Sequence, residues 1–265
     1  MANAITYKDI FLSLPGVLHL KKLVIQENVG NHIVMSLQAI MNAELDDYAF
    51  YDLPETISLN YFQNNQEKIL FKGVISSAVL KKDGGNRIIE IVASDATYWM
   101  DIDRKTRCFQ NIEKTVSEVI AEIMKGYGES DSLCNIPDRP IGELIFQYEE
   151  TDWEFLKRFL SKYNESLYPA ATFETIHFQA GIATQNEDVN WDYYPYQKNK
   201  DFSRLAYLSK NGFTELLPAQ FTFYRLENHD VVALGSQIRY KGNLLYVSRI
   251  KRELNNGLLV NTYEL

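Results

Sequence analysis

Apolar and polar positions alternate along the start of the chain. Residues 5–14 (ITYKDIFLSL) and 17–41 alternate or run apolar with β-branched residues, which predicts strands. Pro15-Gly16 interrupts the first pair, and Val29-Gly30-Asn31 supplies a further turn. The acidic, aromatic segment 46–54 reads as a loop. Residues 57–62 read as a strand, 63–67 as a polar turn and 68–81 as a long strand. Asp83-Gly84-Gly85-Asn86 then turns the chain into a return strand over 87–94, a strong hairpin signal. An antiparallel meander with such short turns suggests a small barrel or sandwich.

The period changes after Asp95, where residues 95–111 leave the sheet. Thr115 and Glu118 form a capping-box pair, and Val116, Val119, Ile120, Ile123 and Met124 follow at helical spacing up to Gly126, which can close the helix. A strand over 144–148 (LIFQY) then feeds a second helix. Thr151 and Glu154 repeat the capping box, and Trp153, Phe155, Leu156, Phe159, Leu160 and Tyr163 form one apolar face. Lys157, Arg158 and Lys162 lie toward the C-terminal end, where cations suit the helix dipole, and Asn164 tolerates a left-handed closing position. On pattern alone this is an ordinary packed helix.

Beyond it, residues 170–181 alternate and read as a strand, whereas 186–202, with Pro195 and few aliphatics, reads as an exposed loop. Segments 205–213 and 219–225 are expected to pair into a second sheet, followed by strands at 231–240, 244–254 and 258–265. Lys241-Gly242-Asn243 and Asn255-Asn256-Gly257 supply the turns between the last three. Phe71-Lys72-Gly73 and Tyr240-Lys241-Gly242 each precede a strand, a glycine turn and a return strand, a weak internal echo.

Composition narrows the function. The chain has 265 residues, 46% of them hydrophobic, enough for a sizeable core in one or two domains. A net charge of −8 argues against a nucleic-acid surface, since phosphate binding needs clustered Lys and Arg. There is no long apolar run of membrane-spanning length, and the N-terminus has neither a basic flank nor an apolar core of a secretory signal. Cys108 and Cys134, far apart and without CxxC spacing, leave a disulfide weakly supported and point to the cytosol. No HExxH, phosphate loop, GxSxG or paired CxxC occurs, and His19, His32, His177 and His229 stand apart, so neither cofactor nor metal site nor catalytic residue is expected. The Trp191, Tyr193, Tyr194 and Tyr196 cluster is open to three readings: rings covering a sheet, a partner contact, or a platform for sugar rings.

Two stretches carry a resemblance. Gln147, Tyr148, Glu149, Thr151, Asp152, Trp153, Phe155, Leu156, Arg158, Phe159 and Leu160 resemble the Gln-Tyr/Arg-x-Glu-Thr/Ser-Asp-aromatic-x-Phe-Leu-x-Arg-Leu/Phe-Leu run of VgrG-type proteins and phage late-control tail proteins, the central baseplate hub of contractile tails. Upstream, Arg107, Phe109 and Gln110 resemble the Arg-x-Phe-Gln segment after the first barrel of such hubs, and the order of motifs agrees. The likeness covers roughly 60–265, and Asn164 stands where the family usually has glycine. It implies an α+β, mainly β fold: two antiparallel tail-tube-like β-barrel domains with two short packing helices and connecting insertions. The first barrel would span 1–110, helices, connecting strands and the aromatic loop 111–218, and strands completing the second barrel 219–265. The implied function is structural and non-enzymatic, that of a homotrimeric adaptor between a six-fold tail tube and a three-fold spike. Such a protein would be assembled in the cytoplasm and carried in a virion or injection particle. Its partners would be tube protein and a spike, which VgrG chains carry as a further C-terminal part, with no nucleic acid. Competing readings are a carbohydrate-binding module using the 191–196 aromatics and, more remotely, a cell-wall hydrolase.

Overall fold

The computed structural model describes residues 4–42, 52–182, 187, 189–210 and 221–265. The expected loop at 46–54 falls largely outside them, as do parts of the expected segments 186–202, 205–213 and 219–225. The N-terminal strands are β1 (Ile10–Leu12), β2 (Val17–Asn28), β3 (Val34–Met41), β4 (Thr56–Gln63), β5 (Gln66–Asp83) and β6 (Asn86–Ser94). They pair antiparallel, as the alternating pattern requires. Their inward residues, among them Leu23, Ile25, Met35, Leu37, Leu59, Phe71 and Ile91, form one buried core. Gly73 is required inside β5 because a Cβ there would lie 2.2 Å from Ser94 O and 2.7 Å from the Phe71 ring.

A middle layer follows. A 3-10 turn (Ala96–Asp101) leads to β7 (Arg104–Phe109), α1 (Val116–Met124), β8 (Asp131–Cys134), β9 (Ile145–Thr151), α2 (Asp152–Ser161), β10 (Leu167–Pro169) and β11 (His177–Ala180). Both helices carry the expected capping boxes, at Thr115/Glu118 and Thr151/Glu154. The segment 95–111 does leave the large sheet, but it forms β7, which pairs with β9 in a two-stranded ribbon. The left-handed glycine after α1 is Gly128 (φ 64°) rather than Gly126, because a 3-10 turn over Lys125–Tyr127 extends the helix first. Asn164 adopts φ 58°, the expected left-handed position. Of 170–181, only β11 is a strand, since 171–175 turns.

The C-terminal elements are β12 (Tyr196–Lys200), α3 (Phe202–Lys210), β13 (Thr222–Asn228), β14 (Gln237–Tyr240), β15 (Asn243–Tyr246), β16 (Arg249–Asn255) and β17 (Leu258–Glu264). Two expectations change here. Tyr196–Lys200, expected in an exposed loop, is a strand, and 202–210, expected in part as a strand, is a helix started by Asp201, whose carboxylate accepts the Arg204 N–H at 2.9 Å. Of the strand expected at 231–240 only β14 forms, and that expected at 244–254 divides into β15 and β16. The echo does not survive as a structural repeat: Gly73 lies inside a strand, whereas Gly242 sits in the β14–β15 turn with φ 76°.

The large sheet runs β1-β4-β5-β6-β3-β2-β16-β17-β13-β12. It therefore crosses the expected divisions at 110 and 218, because β16 pairs with β2 over Arg249–Glu253. The Tyr7 N–H donates to Gly257 O at 2.9 Å and the Leu259 N–H to Ile5 O at 2.8 Å, so the ladder comes back round to the segment preceding β1. β16 and β17 serve two cores: Leu254 and Leu259 pack with the N-terminal core, while Ile250 and Tyr263 join Trp191, Leu226, Ile238 and Tyr240. Between the two cores lies the buried pair Arg252–Glu27, with Nε donating to Oε1 at 2.5 Å. The other guanidinium nitrogens reach Val232 O, Asn261 and Tyr263. Burial opposes the charge on Arg252, but Glu27 and Tyr263 outweigh it and raise its pKa.

Candidate functional site

Two of the residues picked out in the sequence, Arg107 and Gln147, meet at a third, the carboxylate of Asp152. Asp152 opens α2 directly after β9, and its side chain is fully buried. Its Oδ2 accepts from Lys105 Nζ at 2.7 Å and Tyr127 Oη at 2.6 Å. Its Oδ1 accepts from Gln147 Nε2 at 2.9 Å and pairs with Arg107 Nη1 at 3.0 Å. Lys105 and Arg107 come from β7, Gln147 from β9 and Tyr127 from the turn after α1, so one side chain ties four neighbouring elements together. Burial alone would raise the carboxyl pKa. The hydrogen bonds from Lys105, Tyr127 and Gln147 and the charge of Arg107 outweigh that and hold it below the ordinary value. Burial and the adjacent carboxylate push the Tyr127 hydroxyl well up, so it remains a donor.

A β-bulge sets up this geometry. The β7–β9 register slips between Lys105 and Arg107, and Glu149 opposite takes φ 48°, unusual for a non-glycine residue. The slip turns Gln147 inward while Tyr148 points to solvent, 69% exposed. The Arg104 guanidinium holds the bulge by donating to Glu149 O at 2.5 Å.

The other motif residues are structural in distinct ways. Thr151 caps α2 and also donates from its hydroxyl to Asp101, which accepts in turn at its other oxygen from, or pairs with, His32 Nε2 at 2.8 Å. Trp153 donates from Nε1 to Gly30 O at 3.1 Å, and its ring packs 4.9 Å from that of His32. α2 is thereby bolted to the β2–β3 turn. Phe155 stacks between Phe109 and Phe159 at 5.5 and 5.7 Å, with Leu156 and Leu160 buried beside it. Arg158 reaches both oxygens of Glu150 at 2.6 Å and holds that carboxyl below its usual range. Gln110 is exposed just after β7 and takes no part in the network.

Sequence reasoning missed Lys105, Asp101, Glu27 and Arg252, and it gave Tyr127 and His32 no part in these contacts. The only available signals were Lys105 and Arg107 two apart on a strand, and charged residues in otherwise inward-facing positions of β2 and β16.

The aromatic cluster does not form a platform. Trp191 is completely buried, its Nε1 donating to Asp230 at 2.8 Å and its ring 4.6 Å from Tyr263, so it cannot present a face to a sugar. Tyr193 is 89% exposed, Tyr194 packs at the edge of the C-terminal core and Tyr196 is half exposed on β12. Both cysteines are free. Among the described residues no group of His, Cys, Asp or Glu is placed to hold a metal ion, and no helix is long and apolar enough to cross a membrane. At Asp152 each oxygen already faces two donors or cations, which suits a latch rather than proton transfer.

The likeness to known proteins lies in the fold and in a family match over part of the sequence. The fold is similar to the 43 kDa tail protein of prophage MuSo2 from Shewanella oneidensis, with a TM-score of 0.70 at 10% identity, covering 96% of each chain. It is similar to the E. coli c3393 protein, a component of the type VI secretion system, with a TM-score of 0.69 at 13% identity, covering 96% of this chain and 76% of that one. A further likeness is to a chain of the Francisella PdpA-VgrG complex, with a TM-score of 0.56 at 10% identity, where 99% of this chain covers 58% of the other. No curated protein sequence matches. The model of the phage tail baseplate hub (GPD) family matches residues 26–168, from the end of β2 into β10, which include β3 to β9 and the whole Asp152 network. The chain belongs to the phage tail baseplate hub (GPD) family.

Proposed function

We propose that this protein is the trimeric hub of a contractile injection machine, adapting a six-fold tube to a three-fold central spike. The family match over residues 26–168 carries the reading. In this reading the chain assembles in the cytoplasm, becomes part of the particle and performs no catalysis. A closed three-fold ring needs a heterologous contact, one surface of each copy meeting a different surface of the next. Two tube-like units per chain, joined through β16 and β17, would present six quasi-equivalent surfaces per trimer. The middle layer, with Arg107, Phe109, Gln147 and the residues of α2, then acts as the rigid joint that carries load between tube and spike. Tyr193, exposed at 89%, is a candidate contact on the rim.

The test mixes the purified chain with tube protein and spike protein from the same machine, followed by mass photometry and electron microscopy. Three copies capped by a six-fold ring are expected. A chain that stays monomeric and binds neither partner, with both present, overturns the reading.

A further inference from the structure

Among the described residues the large sheet ends at β12, and every residue of that strand is exposed. Its hydrogen-bonding sense follows from its neighbours. The Asp201 N–H donates to Phe221 O at 2.9 Å, while Tyr224 and Leu265 exchange both backbone bonds at 3.0 and 2.9 Å. With the β12–β13 register, the antiparallel alternation turns Gln197 and Asn199 toward β13. The N–H and C=O groups of Tyr196, Lys198 and Lys200 therefore point away from the sheet. Among the described residues no strand pairs with that outer edge.

The same three residues put their side chains on one face. Lys198 Nζ lies 5.0 Å from the centre of the Tyr224 ring and Lys200 Nζ 5.0 Å from that of Phe202. Lys241 from the β14–β15 turn adds its Nζ, 5.9 Å from the centre of the Tyr196 ring. Three cations thus lie over rings on the face of the sheet beside the open edge, Lys241 also donating to Asp192 O, in a chain whose net charge is −8. Lysine on an edge strand discourages apolar or basic strands from pairing, but it suits an acidic one.

We propose that the outer edge of β12 is a strand-addition site for an extended segment of another protein that carries carboxylates at alternate positions. The main chain of Tyr196, Lys198 and Lys200 would supply the ladder, and the three lysines would meet the carboxylates. The site is independent of the hub reading, since it needs no ring.

The test uses a labelled ten-residue peptide alternating Glu with Thr, a Lys/Thr peptide as control, and hydrogen exchange by NMR. Saturable, salt-sensitive binding of the acidic peptide is expected, with at least tenfold slower exchange of the Tyr196, Lys198 and Lys200 amides and none for the Lys/Thr peptide. Lys198→Pro removes one outward N–H without touching the β12–β13 ladder, and Lys198→Glu/Lys200→Glu reverses the charge; each should weaken binding at least tenfold while the far-ultraviolet spectrum and Tm of the protein stay unchanged. Three outcomes overturn the proposal: no binding at millimolar peptide, equal binding by Lys198→Pro, which loses both the outward N–H and one of the three positive charges, or protection of the edge in the peptide-free protein by its own self-association. If Lys198→Pro disturbs the fold, the amide protection and the charge-reversal variant decide.

Discussion

Replacing Asp152 by asparagine tests the latch with almost no change in shape. The substitution removes the charge that Lys105, Tyr127 and Arg107 share, at 2.7, 2.6 and 3.0 Å. Hydrogen bonds to a charged group contribute about 1.5–3 kcal/mol each. Lys105 and Arg107 keep 30% and 29% of their side chains exposed, so water recovers part of what they lose. Asparagine keeps one acceptor oxygen, whose neutral hydrogen bonds are worth about 1 kcal/mol each, while its NH2 faces donors that it cannot accept from. The net loss expected is about 3 kcal/mol, or about 6–12 °C in Tm for a chain of this size. The pH dependence supplies a second handle. The folded pKa of Asp152 is depressed, so its stabilisation is fully present above the unfolded value of about 3.8 and disappears as pH falls through the folded value. Urea denaturation followed by circular dichroism at pH 7 and at steps below pH 4 should show the gap between wild type and Asp152→Asn closing in acid. A loss under about 1 kcal/mol, or a gap that does not change with pH, refutes the account.

Two further perturbations probe the joint and the bulge. Arg252→Met should cost about 3–5 kcal/mol by leaving Glu27 buried and unpaired, while Arg252→Met with Glu27→Leu should recover most of it; a double-mutant cycle in urea that finds no coupling would remove the pair from the account. Glu149→Gly should leave Tm unchanged or raise it by a degree or two, because glycine adopts φ 48° without strain and the Arg104 bond goes to the main chain; a calorimetric Tm lowered by several degrees would show that the Glu149 side chain matters.

The sequence by itself determined the local elements. Capping boxes at Thr115/Glu118 and Thr151/Glu154 place two helix starts, because the Thr and Glu that satisfy the orphan N–H groups lie within one turn of each other. Alternation placed β2 to β6 for a similar reason, since each strand buries one face of a shared core. The order of the Arg107 and Gln147 motifs also pointed to the baseplate hub family. What those motif residues do was decided only in three dimensions. Lys105, Tyr127, Gln147 and Asp152 lie on separate elements, and their contacts depend on a register slip at Glu149 that no periodicity announces. Glu27 and Arg252 are 225 residues apart and meet only because β16 pairs with β2. Trp191 had the composition of an exposed aromatic loop, yet the C-terminal core and Asp230 hold it inside. In each case a polar or aromatic residue reads the same whether it faces water or a partner from a distant strand, and only the pairing of the strands tells the two apart.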